Sequence, residues 1–226
     1  MKTLLGLVTV ALLLDACGGG GGSGSTGMPG PQPSPSPTAT QFFQPLSVGD
    51  TWTYACYLGT PAPGASSFPK TNQILGSTVV NGTQTFEYQE QIPSSPTQST
   101  TIIQLLANDA RGNTLIYGYM ANPGASPQPL ASPVVIVAQN PGAPGTSYDY
   151  PAENGGIVSR AFCCTGPTNP TVFGVYTVNE FVEGSHSINT ATDDYGYALG
   201  QGVMEEDHNF NTPARIDCII TATPPP

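Results

Sequence analysis

Hydrophobic and polar residues alternate in short runs along the chain from about residue 42 onward, and Gly, Pro and Asn separate the runs. The run 51–57 places Trp52, Tyr54 and Cys56 at every second position, the pattern of a strand with one buried face. Comparable runs predict further strands at 74–80, 83–91, 101–107, 114–120, 133–138, 157–163, 172–183, 187–191, 195–199, 203–209 and 214–221.

Turn residues join several of these runs into hairpins. Asn81 and Gly82 stand between two alternating runs, which is the strongest short signal for a two-residue hairpin turn. The segment 109–113 predicts a second hairpin. The Pro- and Gly-rich segments 59–70, 122–132 and 139–156 are predicted to be long loops.

The pattern predicts an all-β fold. The one stretch with helical spacing, 103–107, is too short to form a stable helix. Many short strands with regular turns are typical of an antiparallel meander that forms a curled sheet, a half-barrel or a barrel. We therefore expect residues 41–226 to form a single all-β domain, with no substantial helix outside the leader.

The first sixteen residues have the pattern of an export signal. Lys2 gives a positive start, and the apolar run 4–14 is too short to span a bilayer as a helix. The sequence Leu14-Asp15-Ala16-Cys17 resembles the bacterial lipobox, which implies acylation of Cys17, although Asp15 departs from the small uncharged residue usual there. The alternative is an ordinary secretory leader cut near Ala16 that leaves Cys17 as a thiol.

Residues 17–40 predict a tether. They begin as a Gly/Ser coil and continue as a Pro/Ser stretch, so no core can form there. If Cys17 carries acyl chains, its partner is membrane lipid and the protein is held in the cell envelope. Gly18 follows Cys17 in place of a retaining Asp, which favours the outer membrane or the cell surface.

Composition changes this picture mainly through charge. The 226 residues include five Lys and Arg against fifteen Asp and Glu, a net charge of −10, and no two basic residues are adjacent. Nucleic-acid binding and polybasic membrane binding both draw on clustered cations. We therefore predict that the protein has no nucleic-acid partner, and that its partner in addition to the membrane lipid is an apolar ligand or an envelope protein.

Four cysteines remain when Cys17 is set aside: Cys56, Cys163, Cys164 and Cys218. An exported chain with an even number of cysteines is expected to pair them. Because a bond between neighbours needs a strained ring, the favoured connectivity joins Cys56 and Cys218 each to one member of the adjacent pair. A zinc site is the alternative, but the usual C-x2-C spacing is absent.

Candidate metal ligands cluster near His208. The chain has one other histidine, His186. In a strand, Glu205 and Asp207 share one face while Glu206 and His208 share the other, so the cluster divides. Asp193 and Asp194 lie a little upstream. A solvated acidic edge explains these charges without a metal, and we predict neither a metal nor any other cofactor.

Catalytic signatures are similarly weak. There is no G-x-S-x-G motif, and Gly184-Ser185-His186 lacks the strand-to-helix elbow that presents a reactive serine. The acids Glu180 and Glu183 are three positions apart on one strand and so point to opposite faces. No catalytic residue is predicted.

Both ends of the β region carry a recognisable pattern. Pro45, Leu46, Gly49, Trp52 and Tyr54 resemble the opening of a loosely related set of largely uncharacterised bacterial exported proteins and lipoproteins, with the form Pro-Leu-x-x-Gly-x-x-Trp-x-Tyr. The segment 195–203, an aromatic run followed by Gly-x-Gly, resembles their closing motif, and 79–88 their early hairpin. The resemblance implies a curled antiparallel sheet and no particular activity.

The glycines and aromatic residues of these motifs are interpreted structurally first. Trp52 and Tyr54 point to one face, which we expect to be part of the core. The alternative interpretation is that these two residues contact a ligand. Gly200 and Gly202 predict a bulge or a close backbone approach.

Two functions fit the sequence. The first is a non-catalytic envelope module, either structural or binding a ligand in an apolar groove lined by several strands. The alternative is an envelope hydrolase acting on polysaccharide or peptide, which requires carboxylates, or a histidine with a carboxylate, to converge in a cleft.

Overall fold

The computed structural model describes residues 42–168, 171–184 and 192–223. Across these residues the chain forms twelve β-strands and no helix. This part of the chain therefore contains no helix that is long and apolar enough to cross a membrane. The strands are β1 (Thr51–Leu58), β2 (Ser67–Val80), β3 (Thr83–Ser95), β4 (Gln98–Asn108), β5 (Thr114–Met120), β6 (Gln128–Val137), β7 (Ser147–Pro151), β8 (Ile157–Pro167), β9 (Thr177–Glu183), β10 (Asp193–Ala198), β11 (Gly202–His208) and β12 (Ile216–Ala222).

Several predictions fall outside the described residues. These are the leader 1–16, the lipidation site Cys17, the tether 17–40, His186 and the predicted strand 187–191.

All twelve strands belong to one antiparallel sheet with the order β6-β5-β4-β3-β2-β1-β12-β11-β10-β9-β8-β7. Each strand pairs with its neighbour in sequence, except that β1 also pairs with β12 and β6 does not pair with β7. The sheet is rolled into a nearly closed barrel with its seam between β6 and β7. The predicted all-β antiparallel meander is confirmed, in its barrel form.

Side chains bridge the seam in place of a backbone ladder. The Tyr119 hydroxyl on β5 donates to the Pro151 carbonyl at the end of β7, at 2.9 Å. From β8, Arg160 Nη1 donates to the Ile136 carbonyl on β6, at 3.2 Å. The two edge strands are therefore tied through the interior of the barrel.

The alternation of residues along each strand separates an inner from an outer face. Trp52 and Tyr54 are buried, with 0% and 1% of their surface exposed. Trp52 Nε1 donates to the Gln201 carbonyl at 2.7 Å, and the Tyr54 hydroxyl donates to the Val203 carbonyl at 3.1 Å. The prediction that both residues belong to the core is confirmed.

At two turns, the backbone angle or the available space requires the residue that is found there. Asn81 and Gly82 have φ angles of 49° and 82°, as expected for a two-residue turn that matches strand twist, so the predicted hairpin of β2 and β3 is confirmed. Gly202 has φ 89°, and a Cβ there would lie 2.7 Å from Trp52 Nε1. The predicted close backbone approach at Gly202 is confirmed.

The long-loop predictions are partly wrong. Strand β2 begins at Ser67, β6 begins at Gln128, and β7 lies wholly inside the segment predicted as the loop 139–156. Pro129 and Pro133 are compatible with β6 because it is an edge strand, where a missing backbone N–H need not break a ladder. Conversely, β9 starts only at Thr177, later than predicted.

The predicted disulfide connectivity is wrong. The structure joins Cys56 to Cys218, which are register partners on β1 and β12 with Cα atoms 4.0 Å apart. Cys163 and Cys164 are free thiols on β8, which is four strands away from β12 in the sheet order. Because the first and last strands are neighbours, Cys56 and Cys218 meet each other and not the adjacent pair.

Candidate functional site

The strand alternation places polar residues on the inner face as well as apolar ones. On β3 it turns Glu90 and Ile92 toward the interior, and on β4 it does the same for Ile102 and Gln104. Strands β7 to β10 contribute inner-face residues from the other half of the sheet, among them Tyr150 and Glu183. The interior is thus lined jointly by two halves of the chain.

These residues enclose a cavity of about 330 Å³ that opens to solvent at one end of the barrel. We call it the mouth pocket and define it by Glu90, Ile92, Ile102, Tyr119, Tyr150 and Glu183. Residues 152–154 of the β7–β8 turn border it. Its size falls within the roughly 300–1,000 Å³ of small-molecule sites.

The opposite end of the barrel is covered by the segment that precedes β1. Gly200 and Gly202 donate backbone N–H groups to the carbonyls of Phe42 and Phe43, each at 2.8 Å. Asn108 Nδ2 donates to the Gln44 carbonyl at 2.9 Å. The chain therefore enters the sheet at this base, and the mouth pocket opens at the other end.

Gln44 extends the polar lining inward from the base. Its side chain is buried, and neither amide atom has a hydrogen-bond partner. It borders a narrow interior cavity that shares Glu90, Gln104 and Tyr195 with the mouth pocket. Buried polar atoms usually have partners, so this region of the interior has unused hydrogen-bonding capacity.

Glu183 is held by two donors beside the pocket. Its Oε1 accepts hydrogen bonds of 2.6 Å from the Tyr150 hydroxyl and from Arg160 Nε. Burial opposes the charge on Arg160, but the carboxylate of Glu183 outweighs it and raises the Arg160 pKa. The pair is a buried, charge-assisted bridge between β8 and β9.

Glu90 has no comparable partner. Burial, and then repulsion from Glu206, raises its pKa to about 7, and Lys70 offsets this only in part. The hydrogen bond that it accepts from Gln104 Nε2 is long, at 3.4 Å. Near neutral pH the mouth pocket therefore holds a carboxyl group that exchanges between its neutral and charged forms.

A second polar cluster on the inner face, which we call the interior network, is composed of Lys70, Asn72, Asp193, Glu206 and His208. Lys70 pairs with Glu206, and His208 contacts Glu206 and Asp193 at 3.0 and 3.1 Å. Asn72 Nδ2 donates to Glu206 at 2.9 Å. The network ties β2 to β10 and β11.

The electrostatics of the interior network favour charged side chains. Burial opposes ionisation of Glu206, but the Lys70 charge and the His208 contact lower its pKa. Burial and Lys70 disfavour a protonated His208, yet bonds to Asp193 and Glu206 raise its pKa. None of these five residues lines the mouth pocket, so we assign the network a stabilising role.

The predicted solvated acidic edge is wrong. The division of faces is as expected, since Glu206 and His208 point inward, with 1% of each exposed. However, β11 lies between β10 and β12 in the sheet, so it is not an edge. The outward Asp207 is bound by Arg215 through contacts of 2.7 and 2.6 Å.

The remaining predicted site residues do not meet in one place. Trp52 and Tyr54 pack in the core and do not line the mouth pocket, so ligand contact by them stays a prediction. Glu183 faces the pocket, whereas Glu180 contacts Cys164 on the other face, as their spacing on the strand indicated.

Three buried charged residues were not predicted from the sequence: Glu90, Arg160 and Lys70. Their signal was a charge at an inward position of an alternating run.

Comparison with known proteins gives only distant neighbours. No protein family matches the chain, and no curated protein matches it. One similar solved structure is a predicted exported protein with a YmcC-like fold from Bacteroides fragilis, with 12% identity, 82% of this chain and 100% of that chain covered, and a TM-score of 0.44. Another is a predicted lipoprotein from Parabacteroides distasonis, with 11% identity, the same coverage and a TM-score of 0.42.

Proposed function

We propose that this protein is an envelope lipoprotein whose β-barrel binds a small amphipathic cation in the mouth pocket without catalysing a reaction. The observation that carries the proposal is the composition of that pocket. Apolar side chains and tyrosines form its walls, and the charged side chains that line it are the acids Glu90, Glu153 and Glu183.

The shape of the pocket supports an amphipathic ligand. Ile92, Ile102 and Val158 provide apolar surface near the opening, and Glu90 and Gln104 lie further inside. A few polar groups among apolar walls are typical of sites that orient a small molecule.

Charge supports a cationic ligand. Tyr119 and Tyr150 line the pocket, and a cation is attracted to both aromatic faces and carboxylates. A cation would also favour the ionised form of Glu90, whose pKa burial has raised. Binding should therefore release a fraction of a proton near neutral pH.

The pocket supports binding better than the hydrolase alternative. Hydrolysis of a glycosidic bond needs two carboxyl groups free to act on substrate and water. Here Glu183 is engaged by Arg160 and Tyr150. His208 and Glu206 are fully enclosed away from the opening.

Anchoring is a separate part of the proposal. The lipobox-like Leu14-Asp15-Ala16-Cys17 supports acylation of Cys17. The Gly-, Ser- and Pro-rich segment 18–40 supports a flexible tether. Gly18 supports a location at the outer membrane or the cell surface. Intact mass after expression in a lipoprotein-competent host tests this part, and an unmodified Cys17 contradicts it.

Ligand binding is tested with octyltrimethylammonium as the cationic probe and octyl sulfate as its anionic counterpart. Isothermal titration of the full chain should show saturable binding of the cation and weaker binding of the anion. Ile102→Arg places a positive charge in the opening. It should weaken cation binding about 10-fold or more, because a repulsion of only ~1.4 kcal/mol changes the dissociation constant 10-fold.

The matched control is Thr101→Arg. Thr101 is the neighbour of Ile102 on β4 and is exposed on the other face, so this variant adds the same charge outside the pocket and should bind the probe as the parent does. Equal binding of both probes, or equal weakening by both variants, contradicts the proposal.

A further inference from the structure

We propose that Cys163, Cys164 and Glu180 form a zinc site on the outer face of the barrel, independent of the mouth pocket. The two Sγ atoms are 3.0 Å apart, and Cys164 Sγ is 2.9 Å from Glu180 Oε2. One donor atom from each of the three residues lies within 4.8 Å of the other two.

A break in strand register explains how neighbouring cysteines reach one metal. Successive side chains of a regular strand point to opposite faces. The pairing of β8 with β9 shifts between Phe162 and Cys164, so Cys163 is the extra residue of a β-bulge. Bulges re-aim a side chain, and this one brings both thiols together.

The neighbouring strand supplies the third ligand. Glu180 on β9 is the register partner of Cys164. Gly166 leaves space for it, because a Cβ at that position would lie 3.1 Å from Glu180 Oε1. The carboxylate is thus accommodated directly beside the thiols by strand pairing.

The local charge favours a cation. The carboxylates of Glu180 and Asp194 place negative charge beside the two thiols. No basic side chain belongs to this group of three ligands. A coordinating thiol is deprotonated by the metal that it binds.

The donor set selects the class of metal. Calcium and magnesium take oxygen ligands, and copper(I) prefers sulfur. Zinc accepts both thiolate and carboxylate, with Zn–S distances of about 2.3 Å. Tetrahedral zinc would separate the sulfurs by about 3.8 Å, so the two thiols need to open by less than about 1 Å.

The site leaves room for a fourth ligand. Cys164 borders an open surface depression that also includes Thr165, Asn179 and Gln139. Both cysteines are half-buried and so remain accessible to solvent. Two thiolates, one carboxylate and a water would complete the four-coordinate geometry that zinc adopts.

The test is zinc binding by the full chain carrying Cys17→Ser, measured by competition with a chromophoric chelator after mild reduction that leaves the Cys56–Cys218 bond intact and Cys163 and Cys164 as the two titratable thiols. We expect one zinc ion per chain, with thiolate-to-metal absorption when cobalt(II) replaces zinc. Cys164→Ser should weaken zinc binding at least about 100-fold and abolish this absorption, and Glu180→Gln should weaken binding about 10-fold.

The control is Glu87→Gln, which removes a carboxylate from β3, far from β8 in the sheet order, and should leave zinc affinity unchanged. Three results contradict the proposal: no zinc uptake by the reduced chain, uptake that survives Cys164→Ser, or isolation of the exported protein with Cys163 and Cys164 joined in a disulfide.

Discussion

At the scale of single residues, burial determines how Glu90 titrates. Its pKa is about 7 in the folded chain, against an ordinary value of 4.5. Between these two pH values the folded chain binds more protons than the unfolded chain does. Stability therefore falls as pH rises through this window, by up to about 3 kcal/mol for one such group.

Glu90→Gln should remove that dependence. The amide keeps the size of the side chain and carries no charge, so the variant should be more stable than the parent at pH 8 by about 1–3 kcal/mol. At pH 4 the difference should be small, because Glu90 is then neutral in both states. Urea unfolding at the two pH values measures this.

Glu87→Gln is the control, because Glu87 is an acid on the same strand that is not buried. An equal gain at pH 4 and pH 8, or no gain at pH 8, would show that Glu90 does not carry the buried charge.

The interior network shows what local patterns convey about a residue. Alternation correctly placed Glu206 and His208 on the same face of their strand, because side-chain direction in a strand has a period of two. It did not indicate whether that face meets water or the interior. That depends on strands β2 and β10, which supply Lys70 and Asp193.

At the scale of elements, hairpins were predicted well where the turn residues were specific. Asn81-Gly82 adopts the positive φ angles that its sequence favours. Strand β7 was missed because the flanking 139–146 and 152–156 are rich in Gly, Pro and Asn, and its five residues are too few to show a clear alternation.

The pairing of β1 with β12 leads to a prediction about the disulfide. The Cys56–Cys218 bond spans a sequence separation of 162 residues. Replacing both cysteines with alanine should lower the free energy of unfolding by about 3–5 kcal/mol, because the unfolded chain loses a long covalent loop. Chemical unfolding measures this change.

The matched control is the double variant Cys163→Ser with Cys164→Ser. In the absence of metal it should change the free energy of unfolding by less than about 1 kcal/mol, because both sites are half-buried. Peptide mapping without reduction should link Cys56 to Cys218. A link from Cys56 to either member of the adjacent pair would contradict the structure.

At the scale of the whole molecule, the barrel depends on how its seam is held. No β6–β7 pairing closes the sheet, and Arg160 spans the gap by bonding Ile136 on β6 and Glu183 on β9. Arg160→Met should therefore loosen the edge strands. The variant should also lose about 1–3 kcal/mol of stability, because Glu183, whose side chain is only 14% exposed, then keeps the Tyr150 hydroxyl but loses the guanidinium that balances its charge.

Amide hydrogen exchange distinguishes a local opening from general destabilisation. In Arg160→Met we expect protection to fall more in β6 and β7 than in β1 and β12, which are joined by a ladder and a disulfide. Arg111→Met, at the exposed β4–β5 turn, should change neither. A uniform loss of protection across the sheet would contradict a special role for the seam.

The mouth pocket is formed by the whole rolled sheet and not by any single strand. Ile102 on β4 and Val158 on β8 both line it, although they are distant in sequence. A single strand could indicate only that each side chain faces inward. The rolled sheet determines that they face each other.

Alternation and turn residues by themselves determined that this protein is all-β and antiparallel, and which side chains of β1 and β11 share a face. These features are local, since side-chain direction and turn geometry depend on a few consecutive residues. Tertiary structure alone decided the partner of Cys56, the burial of Lys70 and Glu206, and the mouth pocket. Each of these depends on which distant strands become neighbours when the sheet closes, and no short stretch of sequence encodes that choice.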